Sequence, residues 1–450
     1  MKNILQAGFA RIDITPPLGV NVAGYFIPRI ADGILDELEV NALALSLNDK
    51  KVLFICADLL GISNELYNEI TEMIAEETGV PTNAVFLGAT HTHTGPEIEH
   101  TSNELTDNYI YTLKRKTVDA AKLALADLKN AKMGYGIGQA PNVAFVRRFR
   151  MKDGSVRTNP GVNNPDIVAP IGDMDERVSV VRFDRENAET LIFASFANHP
   201  DVVGGCKISG DWPALFRRTV EKAIDNTKCI FFNGAQGDVN HVNVHPTKGD
   251  FNDMFMDFDD VSRGYGHARY IARVVTGGVL QCYDKVTYVD VDSIKYIRKT
   301  VSVPSNMPSP EEVPEAIRIN DLHIAGKDDE LPYTGMMLTT VVAEAGRMVR
   351  LKDGPEAFDM NFCGIALGPV AFVSIPGEGF NAIGKGFKDT DGYGLIIPCG
   401  LTNGYEGYFP MQDSYEEGGY EARSSRFKKG TAELIIAEGK KILKELETLK

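Results

Sequence analysis

Apolar runs of strand length alternate with amphipathic runs of helix length along the first third of the chain. KVLFICADLL (51–60) reads as a buried strand, and NELYNEITEMIAEETG (64–79) as an amphipathic helix stopped by Gly79. NAVFLGAT (83–90) is the next strand, ELTDNYIYTLKRKTVDAAKLALADL (104–128) a long helix, and KMGYGIGQA (132–140) is strand-like again. Strand and helix in alternation predict α/β layering. The middle of the chain is different. RRFRMKDGSVRT (147–158) has extended arms around a Lys-Asp-Gly turn. VSVVRFDRENAETLIFASFANHP (178–200) turns at Arg185-Glu186-Asn187, and its second arm ends at His199. A helix is expected from about Trp212 to Ile224, and KCIFFNGAQGD (228–238) is an apolar strand running into glycine-rich polar residues. Further helices are expected near 259–276, 310–319 and 330–350. KVTYVDVDSIKYIRKTVSV (285–303) alternates as one long β-rich stretch, and GIALGPVAFVSIPGE (364–378) is a hairpin through Gly368-Pro369. LIIPCG (395–400) is a short strand, and TAELIIAEGKKILKELETLK (431–450) an amphipathic helix with lysines in its last turns, as the helix dipole favours. No internal repeat, low-complexity tract or Pro/Ser-rich linker divides the chain. The expected fold is α/β, one large domain over residues 1–450 with mixed β-sheets flanked by helices. Its site would lie at strand C-terminal ends, and 305–355 is a candidate inserted helical subregion.

Composition narrows the function. A chain of 450 residues with 43% hydrophobic and 24% charged residues is ordinary for a soluble globular protein. A formal net charge of −15 argues against nucleic acid, whose binding needs basic patches, and against adsorption on anionic membranes. No run of about 18 apolar residues is present to span a bilayer. The opening MKNILQAGFARIDITPP has no apolar core of signal-peptide length, so a cytoplasmic location is expected. Cys56, Cys206, Cys229, Cys282, Cys363 and Cys399 are scattered, with no CxxC pair. That excludes a CxxC-type zinc or redox site and fits buried free thiols in a reducing compartment.

Several apolar strands stop at residues able to bind metal or do chemistry. They end at His91 and His93 in GATHTHTGPE, at His199 in FANHP, at the segment 233–240, and at Glu378 in VSIPGE. Ligands in α/β folds gather at the carboxyl ends of strands. In extended backbone, positions i and i+2 share a face, so His91 and His93 can reach one site together. Read singly, each feature has an ordinary structural explanation as well: a loop histidine, a satisfied core histidine, a surface glutamate. The glycine-rich FFNGAQGDVNH (231–241) could cradle an anion on backbone N–H groups but lacks the Gly-Lys-Ser/Thr of a P-loop. His241 and His245 are further candidate ligands.

Taken together, the chain resembles the N-terminal catalytic domain of the neutral/alkaline (non-lysosomal) ceramidase family. The resemblance rests on ordered blocks: GFARIDITPPLGVNVAGY at the start, CADLLG (56–61), GATHTHTGPE (88–97), NVAFVRRF (142–149), NHP (198–200), SGDWPA (209–214), NGAQGDVNH (233–241), SIPGE (374–378) and NGYEGYFPMQDSYEEGGYEA (403–422). It implies a Zn²⁺ enzyme whose metal ligands are His91, His199, Glu378 and Tyr408, with Tyr405 and Tyr415 as neighbouring alternatives to the tyrosine. It also implies that His93, Arg147 (or Arg148) and Tyr420 hold the substrate carbonyl region. Imidazoles and a carboxylate are a common hydrolytic zinc set, and the bound ion acidifies a water to a pKa of roughly 7. Asp58 and Asp211 are candidates to orient metal-bound imidazoles, or else to cap helices and turns.

The chain departs from that family in places. Asn240 stands where the ceramidases carry a serine in a GDVSPN-like stretch, and an amide cannot serve as an activated nucleophile. Attack by metal-activated water remains, with Asn240 as a hydrogen-bond partner and His241 as a candidate general acid. The immunoglobulin-like C-terminal domain of the ceramidases and their export signal are not expected here. The expectation is therefore a zinc-dependent hydrolase cleaving an amide bond, ceramidase-like but with a smaller or more polar substrate than ceramide. Its partner would be a small-molecule or lipid-like amide. The alternatives are an inactive binding protein on the same fold, or a zinc phosphoester or ester hydrolase using Arg147 and Arg148.

Overall fold

Every residue of Glu39–Leu47 is buried, which marks this strand as interior to the larger sheet. The computed structural model of the chain describes residues 4–99, 103–251 and 264–449. The larger, 9-stranded sheet comprises β1 (Gln6–Asp13), β2 (Glu39–Leu47), β3 (Lys50–Ala57), β4 (Val85–Ala89), β5 (Lys129–Gln139), β6 (Arg177–Arg185), β7 (Thr190–Phe196), β8 (Thr227–Asn233) and β9 (Thr287–Val289). Its order is β8-β7-β6-β5-β1-β2-β3-β4, with β9 added to β5. The two edge pairs, β3 with β4 and β7 with β8, are parallel, and the strands between them are antiparallel. A 4-stranded sheet follows in the order β10 (Ile294–Pro304), β11 (Ala357–Leu367), β12 (Val370–Ser374) and β13 (Leu395–Cys399), again with one parallel pair, β12 with β13.

The larger sheet curls until its edge strands approach each other. Asn233 Nδ2 at the end of β8 donates to the Thr90 carbonyl just beyond β4 (3.2 Å). Phe54, Phe193 and Phe232 fill the inside of the curl, and Phe372 of the second sheet packs on Phe54 with ring centroids 4.6 Å apart. The alternation of β6 and β7 explains both coats. Val181, Phe183, Leu191 and Phe193 join this inner cluster. Val178, Val180, Ile192 and Ala194 point the other way, onto the helices α3 (Asp211–Ala223) and α4 (Tyr265–Tyr283). The approach of α4 is close: a Cβ on Gly138 would lie 1.8 Å from the Gly278 carbonyl oxygen, so only glycine fits in β5 there. The helices α1 (Asn64–Thr78) and α2 (Glu104–Ala126) precede these in the chain, and α2 covers β1 and β2.

Between β10 and β11 lie α5 (Val313–Ile324) and α6 (Gly335–Leu351), a helix pair with its own apolar cluster around Ile319, Leu331 and Val342. α7 (Asn381–Lys388) and α8 (Thr431–Thr448) pack on the second sheet. The expected class, α/β with mixed sheets flanked by helices, is the class observed. Boundaries differ in places. The helix expected over 259–276 is α4, which runs to Tyr283; residues 259–263 lie outside the described residues. The stretch 285–303 is not one strand. It breaks after Val289 because the chain leaves the first sheet there and enters the second at Ile294. The six cysteines carry free thiols, and all but the partly covered Cys206 are buried. Among the described residues no helix is long and apolar enough to cross a membrane.

Candidate metal centre

Each parallel strand pair delivers polar residues from its carboxyl ends to one point. β4 leads to His91 and His93, β7 to His199, β8 to Gln236, β12 to Glu378, and β13 to Tyr405 and Tyr408. His91 does not continue β4. Its φ of 78° turns the backbone sharply, and its N–H donates to the Leu59 carbonyl (2.9 Å). The simple extended geometry expected for His-x-His is thus replaced by a left-handed turn. The rings nevertheless converge, with centroids 4.8 Å apart at 88°.

Backbone carbonyls set the tautomers. Nδ1 of His91 donates to Leu60 O (2.6 Å), Nδ1 of His93 to Gly24 O (3.0 Å), and Nδ1 of His199 to Gln236 O (3.1 Å). A carbonyl only accepts, so each Nδ1 carries a proton, and in the neutral ring each Nε2 presents a bare lone pair. These lone pairs face one another. His91 Nε2 lies 3.2 Å from His199 Nε2 and 3.3 Å from His93 Nε2. Glu378 Oε2 is 3.3 Å from His91 Nε2 and 3.2 Å from His199 Nε2, yet it is buried and receives no hydrogen bond. Burial drives His93 well toward the neutral form, and burial with the Arg147 charge moves His199 the same way. Burial alone would raise the Glu378 carboxyl; positive charge on the side of His91 and His199 lowers it well below the usual carboxylate range, a charge that neutral rings do not themselves supply.

A cluster of bare lone pairs and a carboxylate is repulsive unless a cation sits among them. The spacing fits one. Ligands about 2.0–2.1 Å from a tetrahedral ion are about 3.3 Å from each other. His91, His199 and Glu378 form such a triangle, and His93 hangs from its His91 corner on the side of the cavity. The imidazoles of His91, His93 and His199 form the one His/Cys/Asp/Glu group with metal-binding geometry among the described residues.

The remaining residues expected at the site fall into two sets. Tyr405 donates to Glu378 Oε1 (3.0 Å), and the Tyr408 ring lies parallel to that of His199 at 6.5 Å. Tyr420 stands edge-on to Tyr408 at 5.4 Å. Burial and the Glu378 charge push the phenols of Tyr405 and Tyr408 well up. Arg147 lies 5.4 Å over the Tyr408 ring and is held by Glu421 Oε1 and Gly237 O, both at 2.7 Å. Of the two arginines weighed from the sequence, Arg147 is the one beside the cluster. Arg148 is spent on Ser414, Glu417 and Gly418. Tyr415 hydrogen-bonds Phe427 O (2.7 Å) and leans away.

The other set is tied up elsewhere. Asn240 donates to Asn159 Oδ1 and accepts from Val242 N–H, both at 3.0 Å. His241 pairs through Nδ1 with Asp201 (3.3 Å). The loop after β8 is no anion cradle: Gly237 N–H donates to Gly379 O, and the carbonyls of Gln236 and Gly237 are what it presents to the site. Asp58 and Asp211 do not touch an imidazole. Asp58 accepts both Nη atoms of Arg217 and the Glu39 N–H, which holds the turn carrying the Leu59 and Leu60 carbonyls. Asp211 accepts from Val203 and Trp212 N–H. Sequence reasoning missed the orienting carbonyls of Leu60, Gly24 and Gln236, and Glu421 behind Arg147. Carbonyls carry no residue signature; a buried glutamate in GGYEA could have been asked for its cation.

A cavity of about 700 Å³ opens on the cluster, lined by His93, Glu378, Tyr405, Tyr408 and Tyr420. This architecture matches solved structures. The crystal structure of neutral ceramidase from Pseudomonas aeruginosa aligns with a TM-score of 0.75 over 100% of this chain and 75% of that one, at 17% identity. The fold is that of the neutral ceramidases. A ceramidase complexed with C2 aligns at a TM-score of 0.72, covering 98% of this chain and 76% of that one, also at 17% identity. No protein-family model and no curated protein sequence matches the chain. The ceramidase-like fold expected from the ordered motifs is therefore found.

Proposed function

We propose that the chain is a zinc-dependent hydrolase that cleaves an amide C–N bond in a substrate other than ceramide. The reading is carried by one observation: the bare Nε2 atoms of His91 and His199 and the donor-less Glu378 Oε2 lie 3.2–3.3 Å apart. In this reading His91, His199 and Glu378 hold the ion, and Tyr408 completes the set, with Tyr405 bracing Glu378. A bound zinc ion would supply a water acidified to a pKa of about 7 and polarisation of the scissile carbonyl.

The chain's own residues then bind and orient. Tyr420, on the cavity wall, offers a hydrogen bond to the carbonyl oxygen as charge develops on it, while His93 on the same wall presents Nε2 as an acceptor for a donor of the substrate or of the attacking water. Arg147 acts as a positioning residue, since it stands behind Tyr408 and is anchored by Glu421. Asn240 and His241, absent from the cavity wall and internally paired, are read as supports of the loop rather than as chemistry. The phosphoester alternative loses its paired-arginine clamp, because Arg148 faces Ser414 and Glu417.

Elemental analysis of the purified protein is expected to find about one zinc per chain, and chelation to abolish hydrolysis of short acyl amides. His91→Ala and His199→Ala are expected to lose both metal and activity while staying folded by circular dichroism. Unchanged metal content in both variants would overturn the assignment.

A further inference from the structure

The cavity above the cluster has a second polar wall, made by α6 and the segment around Arg426 rather than by the strand ends. Arg347, Arg350 and Arg426 all line it. Arg347 and Arg350 are three residues apart on one face of α6. Arg426 is paired with Glu406 at 3.2 Å. Among the described residues neither of the other two has a carboxylate within ion-pair distance. Arg347 is buried, and its guanidinium donates to the carbonyls of Asn306 and Arg423, which satisfies N–H groups without an ion pair. Arg350 makes no hydrogen bond or ion pair among the described residues. The two stand out in a chain with 62 acidic against 47 basic residues, in a cavity that Glu97, Glu99 and Glu406 also line.

Holding such cations together costs free energy. Arg347 is buried, and desolvation lowers the affinity of its guanidinium for its proton, incompletely offset by Glu344 and Glu312, whereas Arg350 stands exposed at the cavity mouth with exposed Glu99 acting on it. A desolvated guanidinium such as that of Arg347 attracts an anion more strongly than a solvated one, and the planar fork of each arginine matches a carboxylate or phosphate. Phe26, Ile98, Leu351 and Phe358 line the same cavity and supply apolar surface beside these charges.

We propose that Arg347 and Arg350 bind an anionic group, a carboxylate or a phosphate, carried by the substrate away from the scissile amide. The inference rests on the amide-hydrolase reading of the same cavity, and it names the substrate class: an acyl amide with an apolar chain and an anionic head. A neutral lipid leaves this wall unused.

Matched ligands test it. Sulfonamide isosteres resist hydrolysis, so N-octylsulfonylglycine and its glycinamide differ only in the anion. N-octylsulfonyl-phosphoethanolamine and the corresponding ethanolamine make the phosphate arm. Titration calorimetry on the protein as purified is expected to show the anionic member of one arm binding about tenfold or more tightly than its neutral twin. Whichever arm shows it identifies the anion. Arg350→Gln, at the cavity mouth, is expected to remove most of that preference and leave the neutral ligand's affinity unchanged, while Arg350→Lys keeps part of it. Equal affinities within both arms, or a preference untouched in Arg350→Gln and in Arg347→Lys, would overturn the inference. The acyl amides of the same heads are assayed in parallel. Charge-selective binding without any amide hydrolysis removes the hydrolase reading and leaves the arginine wall standing; hydrolysis without charge preference does the reverse.

Discussion

Tyr405 touches Glu378 through the oxygen that does not face the imidazoles, at 3.0 Å. Its loss should loosen the carboxylate rather than remove a ligand. Tyr405→Phe is expected to weaken zinc affinity about 10- to 100-fold, as for other outer partners of metal ligands, measured by competition with a chromogenic chelator. An unchanged affinity would show that Glu378 is held by its backbone alone. Asp211 makes a separate prediction. Burial, with Asp201 and Asp36 adding to it, raises its carboxyl to about 7, against the N–H groups of Val203 and Trp212 that pull it down. An unfolded aspartate titrates near about 3.9. Between those values the folded chain holds the extra proton, so stability falls as pH rises through that window and levels off above it. Asn tolerates the positive φ of 55° at this position. Denaturant midpoints at pH 5 and pH 8 should therefore diverge in the native sequence and diverge less in Asp211→Asn; parallel behaviour would contradict this. The candidate ligands were legible as polar residues at the ends of apolar strands, and as a set only through what the ceramidase resemblance implies. Their orienting carbonyls were not, because any residue supplies one.

The loop after β8 and the strand end after β12 meet at a glycine. A Cβ on Gly237 would lie 2.4 Å from the Glu378 carbonyl oxygen, and the Gly237 carbonyl also accepts from Arg147. Gly237→Ala must move the segment that aims Glu378. It is expected to reduce metal content more than it reduces the thermal midpoint, whereas a purely structural clash would lower the midpoint and leave zinc stoichiometric. Periodicity read most elements well, since the hairpins at 147–158, 178–200 and 364–378 carry their own turns. It passed over β1 and β2. It also fused 285–303, because an alternating run keeps its alternation while the chain passes from one sheet to the other around Asp290–Ser293. Nothing in a local window records which sheet a strand will join.

The cluster depends on the whole sheet arrangement. His91 and His199 follow strands near opposite edges of the larger sheet, and only its curl brings their rings together. Glu378 arrives from the second sheet, whose Phe372 packs on Phe54 and Phe193 inside that curl. Phe372→Ala removes a buried aromatic ring and should cost about 3–5 kcal/mol. It should also weaken metal binding, because the two halves of the site are registered through this contact. Urea unfolding with parallel zinc analysis measures both. A stability loss with full zinc affinity would show that the strand-end hydrogen bonds, such as Ala89 N–H to Leu401 O at 3.1 Å, register the sheets without the core.

The chain by itself determined its α/β class and placed candidate histidines and a glutamate at strand ends, because these depend on local periodicity and residue chemistry; the choice of a ligand set among them is what the ceramidase resemblance implies. The ordered motifs also carried the ceramidase-like fold. Only the tertiary structure decided which tautomer each histidine holds, which arginine stands beside the tyrosines, that Asn240 is spent on its neighbours, and that a second wall of arginines faces the cavity. Those depend on contacts between segments far apart in sequence, such as His91 and His199, whose positions differ by 108. Curvature and sheet pairing set such contacts, and no short stretch of sequence encodes them.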